Sequence, residues 1–92
     1  MNADWDAIGY VISSKYRLAV LRQLEGSPAT PTAIADAEEM APSHISRALG
    51  RLQRRSVVEL IVPDHRRKVR LYALTPKGEA VWDAVCRAEL AQ

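Results

Sequence analysis

The 92-residue sequence predicts a mainly α fold with one small β-hairpin, in the order α-α-α-α-β-β-α. Three observations carry this expectation. Apolar residues recur at helical spacing in five separate segments. The pair Thr-Pro occurs at Thr30-Pro31 and again at Thr75-Pro76, each time setting a capping hydroxyl before a proline suited to the first helical position. Between Val57 and Leu74, β-branched and aromatic residues flank the polar stretch Pro63 to Lys68, the pattern of a hairpin.

Taken in order, residues 4–12 carry Trp5, Ile8 and Ile12 at helical spacing and predict a short amphipathic helix. Ser14 can cap a second helix that runs to about Glu25, with Gly26 stopping it. Tyr16, Leu18, Ala19, Val20, Leu21 and Leu24 cover most of its circumference, so it should lie centrally. The third helix starts at Thr30-Pro31, reaches about Glu38 and buries Ile34 and Ala35, with Met40 tucked inward in the turn that follows. Pro42 opens the fourth helix, 42–55. Ile45, Ala48, Leu49 and Leu52 share one face; Ser43, Ser46, Arg47, Gly50, Arg51 and Arg54 face away. The hairpin follows. The last helix, 76–90, has the stripe Val81, Trp82 and Val85, with Leu90 beyond.

This length allows one domain, residues 1–92, with one modest core. No apolar run approaches the length of a membrane span, and the acidic N-terminus lacks the basic and apolar regions of a signal peptide. No internal repeat is visible. A single cysteine, Cys86, excludes an intrachain disulfide and fits a reducing cytoplasm. The net charge of +2 conceals an asymmetry. Residues 43–70 hold eight of the 13 Lys+Arg and two of the 11 Asp+Glu, a local charge of +6 that leaves −4 elsewhere. A positive helix beside a positive hairpin suits the phosphates of a DNA duplex, whose neutralisation supplies much of the binding energy.

Two helices joined by a short turn, the second with a polar outer face, form a helix-turn-helix, and a basic hairpin directly after it makes the winged variety. The chain resembles the winged-helix transcriptional regulators of the MarR/ArsR type, particularly the small prokaryotic and archaeal ones. The residues that carry the resemblance are Tyr16 to Leu24, Thr32 to Ala35, Ser43 to Leu52, Val57 to Leu60, and Leu71-Tyr-Ala-Leu-Thr-Pro-Lys-Gly78, over roughly residues 14–85. The resemblance implies that residues 42–55 are a recognition helix in the major groove, with Ser43, His44, Ser46 and Arg47 facing base edges. Thr32, Gly50, Arg51, Arg54 and Arg55 would meet the DNA backbone. His65, Arg66, Arg67, Lys68 and Arg70 would form the wing. It also implies a homodimer, with Trp5, Ile8, Ile12, Trp82 and Val85 on the terminal helices as the seam or, equally, as the core of one chain.

Elementary chemistry agrees in part. N-terminal residues of such a helix reach bases, and an arginine can pair with guanine through two hydrogen bonds. Gly50 costs about 1 kcal/mol against alanine inside a helix; close approach to DNA, close packing on another helix or simple tolerance would each account for it. The chain departs from the family pattern at two places. Ser56 stands where glycine commonly ends the recognition helix and would be strained by roughly 1 kcal/mol at a positive φ. Ala41 is a poor N-cap. The long flanking helices of many MarR-type proteins are missing, so a large inducer pocket between subunits is not expected.

One cysteine and two histidines 21 residues apart do not make a metal site, and no metal or other cofactor is expected. Cys86 reads first as a small apolar residue of a core or dimer seam, and second as an oxidant sensor. No phosphate-binding glycine loop and no activated nucleophile is present, so the chain is not expected to be an enzyme. The expected function is a sequence-specific, homodimeric, double-stranded DNA-binding transcriptional regulator of the cytoplasm, associated with the nucleoid. Repression is the expected sign, and whether a small-molecule effector exists is left open. The rival readings are a non-specific architectural nucleic-acid binder and a winged-helix protein–protein interaction module.

Overall fold

Local capping signals start four of the five helices in the computed structural model, which describes residues 4–61 and 70–88. In α1 (Trp5–Ile12) the Asp4 carboxylate accepts the Ala7 N–H at 3.1 Å. Ser14 Oγ accepts the N–H groups of Tyr16 and Arg17 at the head of α2 (Lys15–Leu24). Thr30 Oγ1 accepts the Ala33 N–H at the head of α3 (Pro31–Glu38). Ala41 makes no side-chain cap for α4 (Pro42–Arg54), as its side chain dictates, and Pro42 removes one of the donors that would need one. Thr75 Oγ1 accepts the Gly78 N–H in α5 (Pro76–Arg87).

The helix ends are as informative as the starts. Gly26, with φ 89°, ends the α2 region. Two further left-handed positions are not glycines: Glu39 at φ 55° and Ser56 at φ 64°. Each lets the chain close the preceding helix with two backbone bonds. Met40 N–H reaches Ala35 O and Glu39 N–H reaches Asp36 O; Val57 N–H reaches Leu52 O and Ser56 N–H reaches Gln53 O. The positive φ at Ser56 confirms the strained site read from the sequence, whereas that at Glu39 was not anticipated.

The hairpin pairs β1 (Val58–Ile61) with β2 (Leu71–Leu74) antiparallel, Val58 opposite Leu74 and Ile61 opposite Leu71. Val62 to Val69 lie outside the described residues. The sheet gains one rung that the sequence reading missed. Ala29, between α2 and α3, exchanges two backbone hydrogen bonds with Tyr72, at 2.9 and 3.0 Å.

The core joins Ile8 and Val11 of α1, Val20, Leu21 and Leu24 of α2, Ile34 of α3, Ile45, Leu49 and Leu52 of α4, Val57, Val58 and Tyr72 of the hairpin, and Val81, Trp82 and Val85 of α5. As its apolar circumference requires, α2 is central: it packs on α1, α3, α4, α5 and β2. Packing on both α2 and α3 fixes α4 so that its opposite face remains outside.

A charged network ties α2 to α3. Arg22 donates Nε and Nη2 to the two carboxylate oxygens of Glu38 at 3.1 and 3.0 Å, and Gln23 Nε2 donates to the same group at 2.6 Å. The Arg22 hydrogen bonds hold the Glu38 carboxyl below its ordinary 4.5, against the opposing effect of burial. A lowered folded pKa stabilises above the unfolded value, and this stability is lost as pH falls through the folded value. Glu38→Gln is therefore expected to cost about 1–2 kcal/mol at neutral pH. Thermal denaturation across a pH series should show the gap closing in acid below the unfolded value. A gap of constant size into strong acid would show that the carboxylate charge is not what stabilises.

Candidate nucleic-acid interface

The outer face of α4 is built by the same periodicity that buries its inner face. Ile45, Ala48, Leu49 and Leu52 turn inward. Ser43, Ser46, Arg47, Arg51 and Arg54 are exposed, and α4 contains no acidic residue. Among the described residues none of Arg17, Arg47, Arg51, Arg54 and Arg55 forms an ion pair, whereas Arg22 pairs with Glu38 and Arg87 with Asp83. Arg22 and Arg87 stand against carboxylates, whereas the arginines on and beside α4 have no carboxylate partner among the described residues.

Gly50 lies on this face, half-buried. A Cβ placed there would meet nothing within 4 Å, so close packing against another helix does not explain the glycine. Gly50→Ala should then raise the stability of the free chain by about 1 kcal/mol through helix propensity, measured by urea denaturation. A loss of stability would bring the packing explanation back.

His44 is half-buried and turned toward α2. Its ring stacks on Tyr16 with centroids 4.6 Å apart and an interplanar angle of 14°, and the Lys15 ammonium stands 5.3 Å from the Tyr16 centroid. The stack forms part of a shallow hollow of about 310 Å³ lined by Ser14, Tyr16, Arg17, His44, Arg47, Ala48 and Arg51. Three arginines and the amino-terminal turn of α2 converge there, a setting that attracts an anion. Lys15 and Arg17 occupy that first turn, where a cation opposes the helix dipole. That misplacement was a sequence signal for a functional charge, and the sequence reading passed over it.

Arg55 departs from the row of outward arginines. Its guanidinium carbon lies 3.7 Å from the centroid of the Tyr10 ring, and that of Arg17 lies at the same distance from the same ring. Thr32 is exposed in the first turn of α3, and Arg70 is exposed at the loop end of the hairpin, just before β2. His65, Arg66, Arg67 and Lys68, the expected wing tip, lie outside the described residues.

Five residues were expected at a seam or in the core. Ile8, Trp82 and Val85 belong to the core of this single chain, being 3%, 6% and 0% exposed; Trp5 and Ile12 stand out at 71% and 37%. Cys86 is exposed on α5, so it is not part of the core of this single chain. Desolvation, then the charges of Glu25 and Asp83, push its thiol up, which disfavours the reactive thiolate. Among the described residues no group of three or more His, Cys, Asp or Glu is placed to hold a metal ion. Among them, too, no helix is long and apolar enough to cross a membrane.

A helix-turn-helix with its second helix exposed, followed by a hairpin and a closing helix, defines a winged helix-turn-helix domain. The family model described as HVO_A0261 N-terminal domain matches residues 5–92, and the chain belongs to that family. No curated protein matches it. Among solved structures it is similar to the MarR family transcription regulator SP03579, with a TM-score of 0.77 and 27% identity over 94% of this chain and 60% of that one. A MepR-like protein complexed with pseudoligands has a TM-score of 0.73 and 25% identity, covering 82% and 54%. BldR from Sulfolobus solfataricus, at 0.69 and 22% over 78% and 52%, is alike in fold alone. The fold is that of the MarR-family regulators, and the chain spans between 52% and 60% of the length of these three.

Proposed function

We propose that this chain is a sequence-specific double-stranded DNA-binding domain of a transcriptional regulator, with α4 as its recognition helix. In this reading Ser43, His44, Ser46 and Arg47 meet base edges in the major groove. Thr32, Arg51, Arg54 and Arg55 meet the backbone, Gly50 allows α4 to approach closely, and the basic segment 63–68 with Arg70 acts as the wing. The observation that carries the reading is the outer face of α4: exposed arginines without carboxylate partners, serines near the helix start and a glycine facing open space.

The working form is a homodimer. A two-fold axis would set two α4 helices about one DNA turn apart on a palindromic site. Trp5 and Ile12, seven residues apart on one side of α1 and both exposed, support a partner on that helix. Occupancy of a site near a promoter, in the cytoplasm, would then repress transcription.

Fluorescence anisotropy against random duplex, single-stranded DNA and RNA across a salt series tests this reading, followed by selection from a randomised duplex pool. The expected result is duplex binding that weakens steeply with salt, and enrichment of a palindrome. Duplex binding without enrichment would favour an architectural role, and no binding at low salt would favour a protein–protein module.

A further inference from the structure

The ring of Tyr10 lies between two arginines from different helices. Arg17 comes from the first turn of α2 and Arg55 from the end of α4, each with its guanidinium carbon 3.7 Å from the ring centroid. Two guanidinium groups at that height over one face would nearly coincide, so they occupy opposite faces. Arg17 is further held by Nη1, which donates to Tyr10 O at 2.7 Å and to Ser13 Oγ at 2.9 Å. Arg17 also lines the hollow that contains Arg47 and Arg51. Arg55 lines a second hollow with Arg54, Asp4, Asp6, Ser56 and Lys77, where the Asp4 carboxylate is engaged by Lys77 at 3.6 Å.

A carboxylate between two arginines would immobilise them and cancel their charge. An aromatic ring immobilises them and leaves the charge intact, with edge N–H donors free for an incoming acceptor. It also brings two like charges together, a repulsion that an anion relieves. Among the described residues the Tyr10 hydroxyl makes no hydrogen bond, so the face of the ring is the part that matters.

We propose that Tyr10 is a positioning residue that holds Arg17 and Arg55 ready as two contacts for backbone phosphates at separate points along α4. This rests on the DNA-binding reading above, and it adds to the interface one residue of α1 and one of α2 that the sequence did not suggest.

The test is anisotropy of the full chain against a labelled random-sequence duplex over a salt series. Loss of one phosphate contact lowers the slope of log affinity against log salt by about 0.9, or affinity about tenfold at 0.1 M salt. Arg17→Gln and Arg55→Gln are each expected to show that change. Tyr10→Phe should match the parent. Tyr10→Leu should lower the slope, and adding Arg17→Gln to it should weaken binding by less than about twofold further. Parent-like slopes for both arginine variants, or losses from Tyr10→Leu and Arg17→Gln that multiply in full, would overturn the proposal. The clamp is also read without any variant: ring current should shift the side-chain N–H protons of Arg17 and Arg55 upfield in the NMR spectrum of the free parent chain. Unshifted resonances overturn it even if Tyr10→Leu does not fold. Failure of the parent itself to bind duplex at low salt would reject the DNA-binding reading and the clamp together, whereas parent binding with unchanged arginine slopes rejects the clamp alone.

Discussion

Gly78→Ala is expected to destabilise the chain by about 3 kcal/mol or more. Gly78 is in the first turn of α5, where that helix crosses the base of the hairpin. A Cβ there would overlap the carbonyl oxygen of Val57 and crowd Leu74 Cδ2 at 3.3 Å. The oxygen has nowhere to go, because it accepts the Thr75 N–H at 3.1 Å and the Thr75 hydroxyl at 3.2 Å. Val57 itself is fully buried beside the end of α4. The clash is therefore relieved only by lifting α5, with Val81, Trp82 and Val85, off the core. Thermal and urea denaturation of the variant measure the effect. A midpoint equal to that of the parent would mean that α5 slides away at no cost and that the close approach does not hold the hairpin in place.

Arg47→Ala is expected to weaken binding to a selected duplex by about 1–3 kcal/mol, roughly five- to 150-fold. Its effect on random duplex should be clearly smaller. Arg47 is exposed in the second turn of α4, early enough in the helix to reach base edges, and no carboxylate holds it back. It also borders the hollow that contains Arg17 and Arg51, where a phosphate would be held. Paired titrations on selected and random duplexes separate the two roles. Equal losses on both would assign Arg47 to the backbone and leave base reading to Ser43, His44 and Ser46.

Much of the fold was legible because its signals are local. Thr30-Pro31 and Thr75-Pro76 begin helices with the expected hydroxyl caps, and the stripe Ile45, Ala48, Leu49, Leu52 is buried. Ser56 adopts the positive φ that its place directly after α4 suggested. What escaped depends on contacts between distant segments. Nothing within nine residues of Tyr10 reveals that Arg55 comes to rest on it. Trp5 and Trp82 look equivalent in the sequence, but α1 turns one outward while α5 buries the other. Nothing local explains Gly78; its reason, a carbonyl 21 residues earlier, exists only once α5 has docked. The surface divides in the same way: periodicity marks the exposed face of α4, whereas the hollow it forms with Ser14, Tyr16 and Arg17 depends on how α2 docks beside it.

The uneven pairing of the arginines has a kinetic consequence. Because Arg22 and Arg87 are quenched by carboxylates while those around α4 are not, the molecule's electric field is lopsided. A polyanion at a distance of about one Debye length, roughly 10 Å at 0.1 M salt, exerts a torque on such a particle before any surfaces touch. Encounters would then begin with α4 facing forward, and fewer would be spent on unproductive orientations. Speed of capture would follow from where the acidic side chains are withheld as much as from where the basic ones are placed.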